Sequence, residues 1–251
     1  MLTVDLNCDM GESFGTYQIG SDAKIVGYIS SVNIACGFHA GDPAVLRKTV
    51  LLAREHGKTI GAHPGYPDLP GFGRRNMELS EQEVEVIMLY QIGALNAFCR
   101  AAGVPLRHVK PHGALYNQAA KDKKLAGAVA RSVKAFDPGL ILVGLAGSEM
   151  ITAGLAAGLA VAGEAFADRN YHADGSLVSR RDPRGIINDP NRVAERVVRM
   201  VREGLVETVE GTDLPLHFNT ICLHGDTPGA VILAAAVSER LRAAGIEISS
   251  L

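Results

Sequence analysis

Short apolar runs and well-punctuated amphipathic helices alternate along this chain from end to end. That alternation restricts the fold more than any other feature of the sequence. Strand-like runs occur at 2–7, 32–36, 59–62, 107–110, 140–145, 159–166 and 219–223. They read as strands buried on both faces, without the polar alternation of a half-exposed sheet. Helices separate them. Asp42 suits the cap of one helix, with Pro43 in its first turn and Gly57 beyond its end. Ser80 and Glu83 have the spacing of a capping box, and that helix stops at Gly103 ahead of Pro105. Asp189 with Pro190 opens another, closed by Gly204, and Thr227 with Pro228 opens the last, closed by Gly245. Seven β-then-α units predict a parallel sheet with helices outside it. Their number suits a distorted, TIM-like seven-stranded (β/α) barrel better than an open doubly wound sheet. Two stretches, 171–188 and 206–216, break the alternation and are expected to form small hairpins on the barrel rim. No linker, repeat or low-complexity segment divides the chain, so one catalytic domain over 1–251 is expected.

Composition removes several classes of function. With 25 basic and 27 acidic residues the formal net charge is -2, which leaves no electrostatic footprint for nucleic acid. The most apolar stretch, 150–163, is shorter than the ~20 residues that cross a bilayer. Asp5 and Asp9 stand where a secretion signal needs basic and then apolar residues. A cytoplasmic protein is therefore expected, with Cys8, Cys36, Cys99 and Cys222 as reduced thiols; none of them forms a C-x-x-C pair for structural zinc.

In parallel barrels the site is built from the loops that follow the strands. After the first strand comes Asn7-Cys8-Asp9-Met10-Gly11-Glu12, and after the second Cys36-Gly37-Phe38-His39-Ala40-Gly41-Asp42. The third is followed by His63-Pro64-Gly65-Tyr66 and then Gly71-Phe72-Gly73-Arg74-Arg75. The fourth ends in Lys110-Pro111-His112-Gly113-Ala114-Leu115-Tyr116, the sixth leads to Asp168-Arg169-Asn170-Tyr171, and the seventh ends in His224-Gly225-Asp226. His39, His63, His112 and His224, four of the eight histidines, sit just past strand ends. Asn7 and Asp9, Lys110 and His112, and His224 and Asp226 are each two apart, so each pair shares a strand face. The catalytic candidates are Asp9, His63, Lys110 and His112. The substrate-binding candidates are Asn7, Glu12, His39, Gly65, Arg74, Tyr116, Asp168, Arg169 and His224.

Several of these residues also have plain structural explanations. Asp42 suits a helix cap, Asp226 a helix entry and Cys36 a small buried residue. Lys110 suits an ion pair with Asp9 or Glu164. Any one histidine suits a structural hydrogen bond, though four at one rim are harder to explain that way. Gly57-Lys58-Thr59 has the look of a phosphate-loop ending, but it closes a helix and opens a strand, which is the wrong context.

The first block, extended from Asp5 to Gly15, resembles the LamB/YcsF family. So do Asn33 to Asp42, Gly61 to Asp68, Val109 to Tyr116, Glu164 to Arg169 and Cys222 to Asp226, and the resemblance covers essentially the whole chain. It implies a seven-stranded barrel related to carbohydrate deacetylases. It also implies one component of the bacterial 5-oxoprolinase, which opens 5-oxoproline to L-glutamate together with partner subunits B and C. ATP with Mg2+ is then the cosubstrate, and no permanently bound cofactor is expected; a homo-oligomer is compatible with this. A five-membered lactam is a stable amide, and phosphorylating its oxygen makes the carbon electrophilic. That chemistry asks for positioning and charge stabilisation. Lys110, Arg74 and the loop glycines suit phosphate or the substrate carboxylate, and Asp9 with His63 or His112 suits proton transfer. Two other readings stay open at this point. One is a metal-dependent amide or carbohydrate deacetylase-like hydrolase with Asp9, His39, His63 and His112 as zinc ligands. The other is a non-catalytic, lactam-binding regulatory subunit.

Overall fold

The computed structural model describes residues 1–225 and 229–251. Asp226 and the Thr227-Pro228 helix start lie outside the described residues. The strands are, in chain order, β1 (Thr3–Met10), β2 (Ser31–Ala35), β3 (Thr59–His63), β4 (Leu106–Val109), β5 (Ile141–Leu145), β6 (Ala160–Phe166), β7 (Leu205–Glu207), β8 (Asp213–Pro215), β9 (Thr220–Leu223) and β10 (Glu247–Ile248). Strands β1 to β6 and β9 are parallel neighbours in that order, and β9 pairs back onto β1, so seven strands close into a barrel. The helices are α1 (Asp22–Ile25), α2 (Pro43–Glu55), α3 (Glu81–Ala101), α4 (Gly113–Ala119), α5 (Lys123–Phe136), α6 (Glu149–Ala156), α7 (Pro190–Glu203) and α8 (Ala230–Ala243). No helix among the described residues is long and apolar enough to cross a membrane.

The capping residues act as their chemistry requires. Asp42 accepts from Val45 N at 2.9 Å, satisfying a backbone donor that the first turn of α2 leaves unpaired. Ser80 and Glu83 form a reciprocal capping box at the start of α3. Asp189 accepts from Asn191 N and Arg192 N, and Gly204 ends α7 in the left-handed conformation. The helices lay one apolar stripe each on the barrel, with Leu46 and Val50 from α2, Val84, Met88 and Leu95 from α3, and Val237 and Leu241 from α8 in one core.

Three features differ from the sequence reading. First, β1 and β2 do alternate. Asp5, Asn7 and Asp9 share one face with Ser31 and Asn33 of β2, while Leu6, Cys8, Val32 and Ile34 join the apolar core. The polar face points to the barrel axis, so both faces are buried although one is hydrophilic. Second, the 206–216 stretch holds the expected hairpin, β7 against β8, but 171–188 is an irregular excursion with isolated bridges only, Tyr171 to Leu177 and Arg169 to Ile186. The guanidinium of Arg169 ties it down, donating to the carbonyls of Val178 at 2.6 Å and Gly185 at 3.2 Å. Third, β10 extends the sheet beside β1 through Thr3 and Glu247, a pairing too short to show any sequence period.

Candidate active site

The inward-facing side chains form layers along the barrel axis. At the N-terminal end, Asp5 accepts from Ser31 Oγ at 2.6 Å, from Ser30 Oγ at 2.7 Å and from the Thr220 hydroxyl. In the next layer Asn7 donates to Glu164 Oε1 at 3.0 Å and Thr220 Oγ1 at 2.7 Å, and accepts from Asn33 Nδ2 at 2.7 Å. His108 Nε2 lies 2.8 Å from Asn33 Oδ1. Above these, Lys110 follows β4 and reaches across the barrel. Its Nζ is 2.8 Å from Glu164 Oε1, 3.0 Å from Asp9 Oδ1, 3.2 Å from Asn7 Oδ1 and 3.2 Å from Cys222 Sγ. Tyr116 on α4 donates to the other Glu164 oxygen at 2.7 Å.

Lys110 is 2% exposed, and an ammonium so placed persists only with partners. Burial pulls its pKa down, but Asp9 and Glu164 outweigh burial and raise it well above the usual lysine value. Burial likewise pushes the Asp9 carboxyl up, and His63 and Lys110 overcome this and hold it well below the usual carboxylate range. The Asp9 side chain is 14% exposed, the most open of this charged group. Burial pushes the Cys222 thiol well up, so it meets Lys110 as a neutral group.

A second cluster adjoins the first through Asp9. His63 Nε2 lies 3.3 Å from Asp9 Oδ2 and 2.9 Å from His112 Nδ1. His39 stacks flat on His112, with ring centroids 3.7 Å apart and planes 3° from parallel. Glu12 Oε1 is 3.6 Å from His39 Nε2 and 3.8 Å from His112 Nδ1. Burial, then the neighbouring histidines, pushes His39 and His112 well below the usual histidine pKa.

The 65–75 loop closes over this cluster. Gly73 has φ +62°, and a Cβ there would sit 2.7 Å from His39 Cβ and 2.8 Å from His112 Cδ2, so glycine is required twice over. A Cβ on Gly65 would meet His39 Nδ1 at 2.7 Å. The Gly65 backbone is gripped by the Gln91 amide of α3, which donates to its carbonyl and accepts from its N–H, both at 2.9 Å. The loop's two arginines part company. Arg75 pairs with Asp68, whereas exposed Arg74 lies over the Phe72 ring at 4.8 Å.

On the opposite side of the mouth His224 Nδ1 is 2.8 Å from Asp168 Oδ1 and stacks on Phe166, whose ring is also 5.7 Å from Lys110 Nζ. Asn7, Asp9, Glu12, His39, His63, Lys110, His112 and Tyr116 thus form a single contact network, and His224 and Asp168 join it through Phe166. Arg169 is adjacent in sequence, but its guanidinium serves the rim excursion. Glu164, Asn33, His108, Thr220 and Cys222 belong to the network although they were not among the site candidates. Strand period points to some of them: His108 precedes Lys110 by two, and Cys222 precedes His224 by two. Gln91 comes from a helix face and leaves no such trace. Asp42 is a cap, and Gly57-Lys58-Thr59 joins α2 to β3 with Lys58 Nζ on the Ile29 carbonyl at 2.7 Å.

Comparison with known proteins adds an independent line. The LamB/YcsF family profile matches residues 4–251. A protein from Bacillus subtilis (strain 168) is 53% identical over 251 residues, covering 100% of this chain and 98% of its own length. One from Chloroflexus aggregans (strain MD-66 / DSM 9485) is 57% identical over 248 residues, covering 99% and 98%. Both are named as the A subunit of 5-oxoprolinase. The crystal structure of the lactam utilization protein from Thermus thermophilus matches with a TM-score of 0.95 at 49% identity over 100% of both chains.

Proposed function

The chain belongs to the LamB/YcsF family, and we propose that it is the A subunit of a 5-oxoprolinase, a multi-component hydrolase that acts on the lactam of 5-oxoproline. The observation that carries this reading is identity of 53–57% along the whole chain to relatives bearing that name. The finer parts of the proposal are that the reaction consumes ATP with Mg2+ and that the other components are subunits B and C. In this scheme the γ-phosphoryl group of ATP passes to the lactam oxygen and ADP leaves. Water adds to the activated carbon, and the C–N bond breaks as a proton reaches the nitrogen. The acyl phosphate so formed is hydrolysed by a second water to L-glutamate and phosphate.

The mouth suits the proton and charge handling of that sequence. Asp9, ionised and the most open of the charged groups around Lys110, is placed to accept a proton from water. Lys110 keeps Asp9 ionised and adds fixed positive charge where negative charge develops. Arg74, on the exposed part of the loop, suits the substrate carboxylate.

The test is glutamate formation from 5-oxoproline, ATP and Mg2+ by this chain with subunits B and C, by B and C alone, and by the full set without ATP. Turnover confined to the complete mixture is expected. An unchanged rate without this chain, or no glutamate from the complete mixture, refutes the assignment. An unchanged rate without ATP refutes the ATP step alone.

A further inference from the structure

Two backbone carbonyls fix the protonation of the histidine pair at the heart of the second cluster. His63 Nδ1 lies 2.7 Å from the Lys110 carbonyl, and His112 Nε2 lies 2.9 Å from the Phe72 carbonyl. A carbonyl only accepts, so each of these nitrogens carries the hydrogen. In the neutral rings, the two nitrogens that face each other at 2.9 Å, His63 Nε2 and His112 Nδ1, are then both lone pairs. The groups around them are acceptors as well, Asp9 Oδ2 beside His63 and Glu12 Oε1 beside His112. His39 is 0% exposed, neither of its ring nitrogens has a hydrogen-bond partner, and its Nε2 faces the same Glu12 oxygen. One extra proton between His63 and His112 would relieve that pair and leave His39 orphaned in a buried site, a costly condition. One cation relieves all of them.

We propose that Glu12, His39, His63 and His112 bind a single divalent transition-metal ion of the zinc type. One donor atom from each lies within 4.8 Å of the others. An ion about 2.0–2.1 Å from each donor needs neighbouring donors roughly 2.9–3.4 Å apart. The 2.9, 3.6 and 3.8 Å separations lie in or near that range, and the wider pairs, at up to 4.8 Å, close on the ion with side-chain shifts of about an ångström. Imidazole-rich donor sets with one carboxylate select zinc and its neighbours over Mg2+ or Ca2+. The two backbone carbonyls are the outer partners that metal-bound histidines ordinarily have. Glu12 completes the set because its Oε1 faces both His39 Nε2 and His112 Nδ1, whereas Asp9 gives Oδ1 to Lys110 and Asn33 Nδ2 and turns only Oδ2 toward His63. A resident ion departs from the sequence expectation that no cofactor is permanently bound. It is distinct from the Mg2+ that accompanies ATP, and it does not depend on the lactam reading.

The test uses the full chain, stripped with a chelator and titrated with Co2+ or Zn2+. The proposal expects about one equivalent bound and a visible Co2+ absorption band. Zinc-edge X-ray absorption on the unmodified chain should show imidazole and oxygen donors at about 2.0–2.1 Å, which requires no variant to fold. Glu12→Gln and His39→Gln should weaken Co2+ binding at least about tenfold, and the surface variant His172→Asn should leave it unchanged. Failure to bind a stoichiometric ion, a purely oxygen or sulfur shell, or full affinity in folded Glu12→Gln and His39→Gln proteins would overturn the site. Glutamate formation is measured separately, so either conclusion can fail alone.

Discussion

At the scale of single residues, Lys110 and His108 show what burial does to charge. Lys110 fills its donor capacity with Asn7, Asp9 and Glu164, so it organises the mouth as well as charging it. Lys110→Met would leave two buried carboxylates uncompensated, at a cost on the order of 3–5 kcal/mol. Compared at matched folded fraction, turnover by the reconstituted complex should still fall on the order of 10²-fold; near-normal turnover would make the residue purely structural. His108 offers a pH test. Burial, with Lys110 beside it, takes its pKa down to about 3. The unfolded chain takes up this proton near pH 6.5 and the native state refuses it until about pH 3. Stability is therefore full above about 6.5 and declines as pH falls through that window. Urea unfolding of His108→Gln should show a shallower loss between pH 7 and pH 4.5 than the parent, and parallel curves would contradict this. Arg74 lies at the exposed edge, and Arg74→Ala should raise the apparent KM for 5-oxoproline or ATP with little change in Tm. Unchanged KM for both would remove it from the site.

Among the elements, helix caps and loop glycines carry separable duties. The exposed Ser80–Glu83 box closes on itself in the first turn of α3, so Ser80→Ala should cost about 1 kcal/mol of stability and leave turnover per folded molecule unchanged. Gly73→Ala makes the opposite demand. Its Cβ would strike His39 and His112 from a left-handed backbone position, so the loop must lift from the histidines. Turnover should drop more than Tm does, and a variant with parent-like kinetics would show that the loop has no part in the chemistry. The strands make the complementary point. Their period of two carries Asp5, Asn7 and Asp9 to the axis together, and it does the same for His108 and Lys110.

For the whole molecule, the proposed activity belongs to an assembly. The isolated chain should stay folded and release little or no glutamate from 5-oxoproline and ATP, measured in a preparation free of subunits B and C; robust release would place the full reaction in this chain. The order of β and α units, the caps at Asp42, Ser80 and Asp189 and the rim holding the histidines were legible in the sequence, because each depends on neighbours a few residues apart. The same local logic located Asp9, His63, Lys110 and His112 after their strands. It did not reveal that β1 alternates toward a hydrophilic axis, that Asn7 and Cys222 complete the lysine's shell, or that Arg169 serves the rim. Nor did it choose Glu12 over Asp9 for the histidine cluster. Those outcomes rest on contacts between residues far apart in the chain, such as Asn7 with Glu164 and His63 with the Lys110 carbonyl. The sequence by itself determined which strand ends and loops carry the polar candidates, since strand and helix periods are local. Only barrel closure decided which of them meet, because most buried donors and acceptors here pair with groups that the fold brings across the axis.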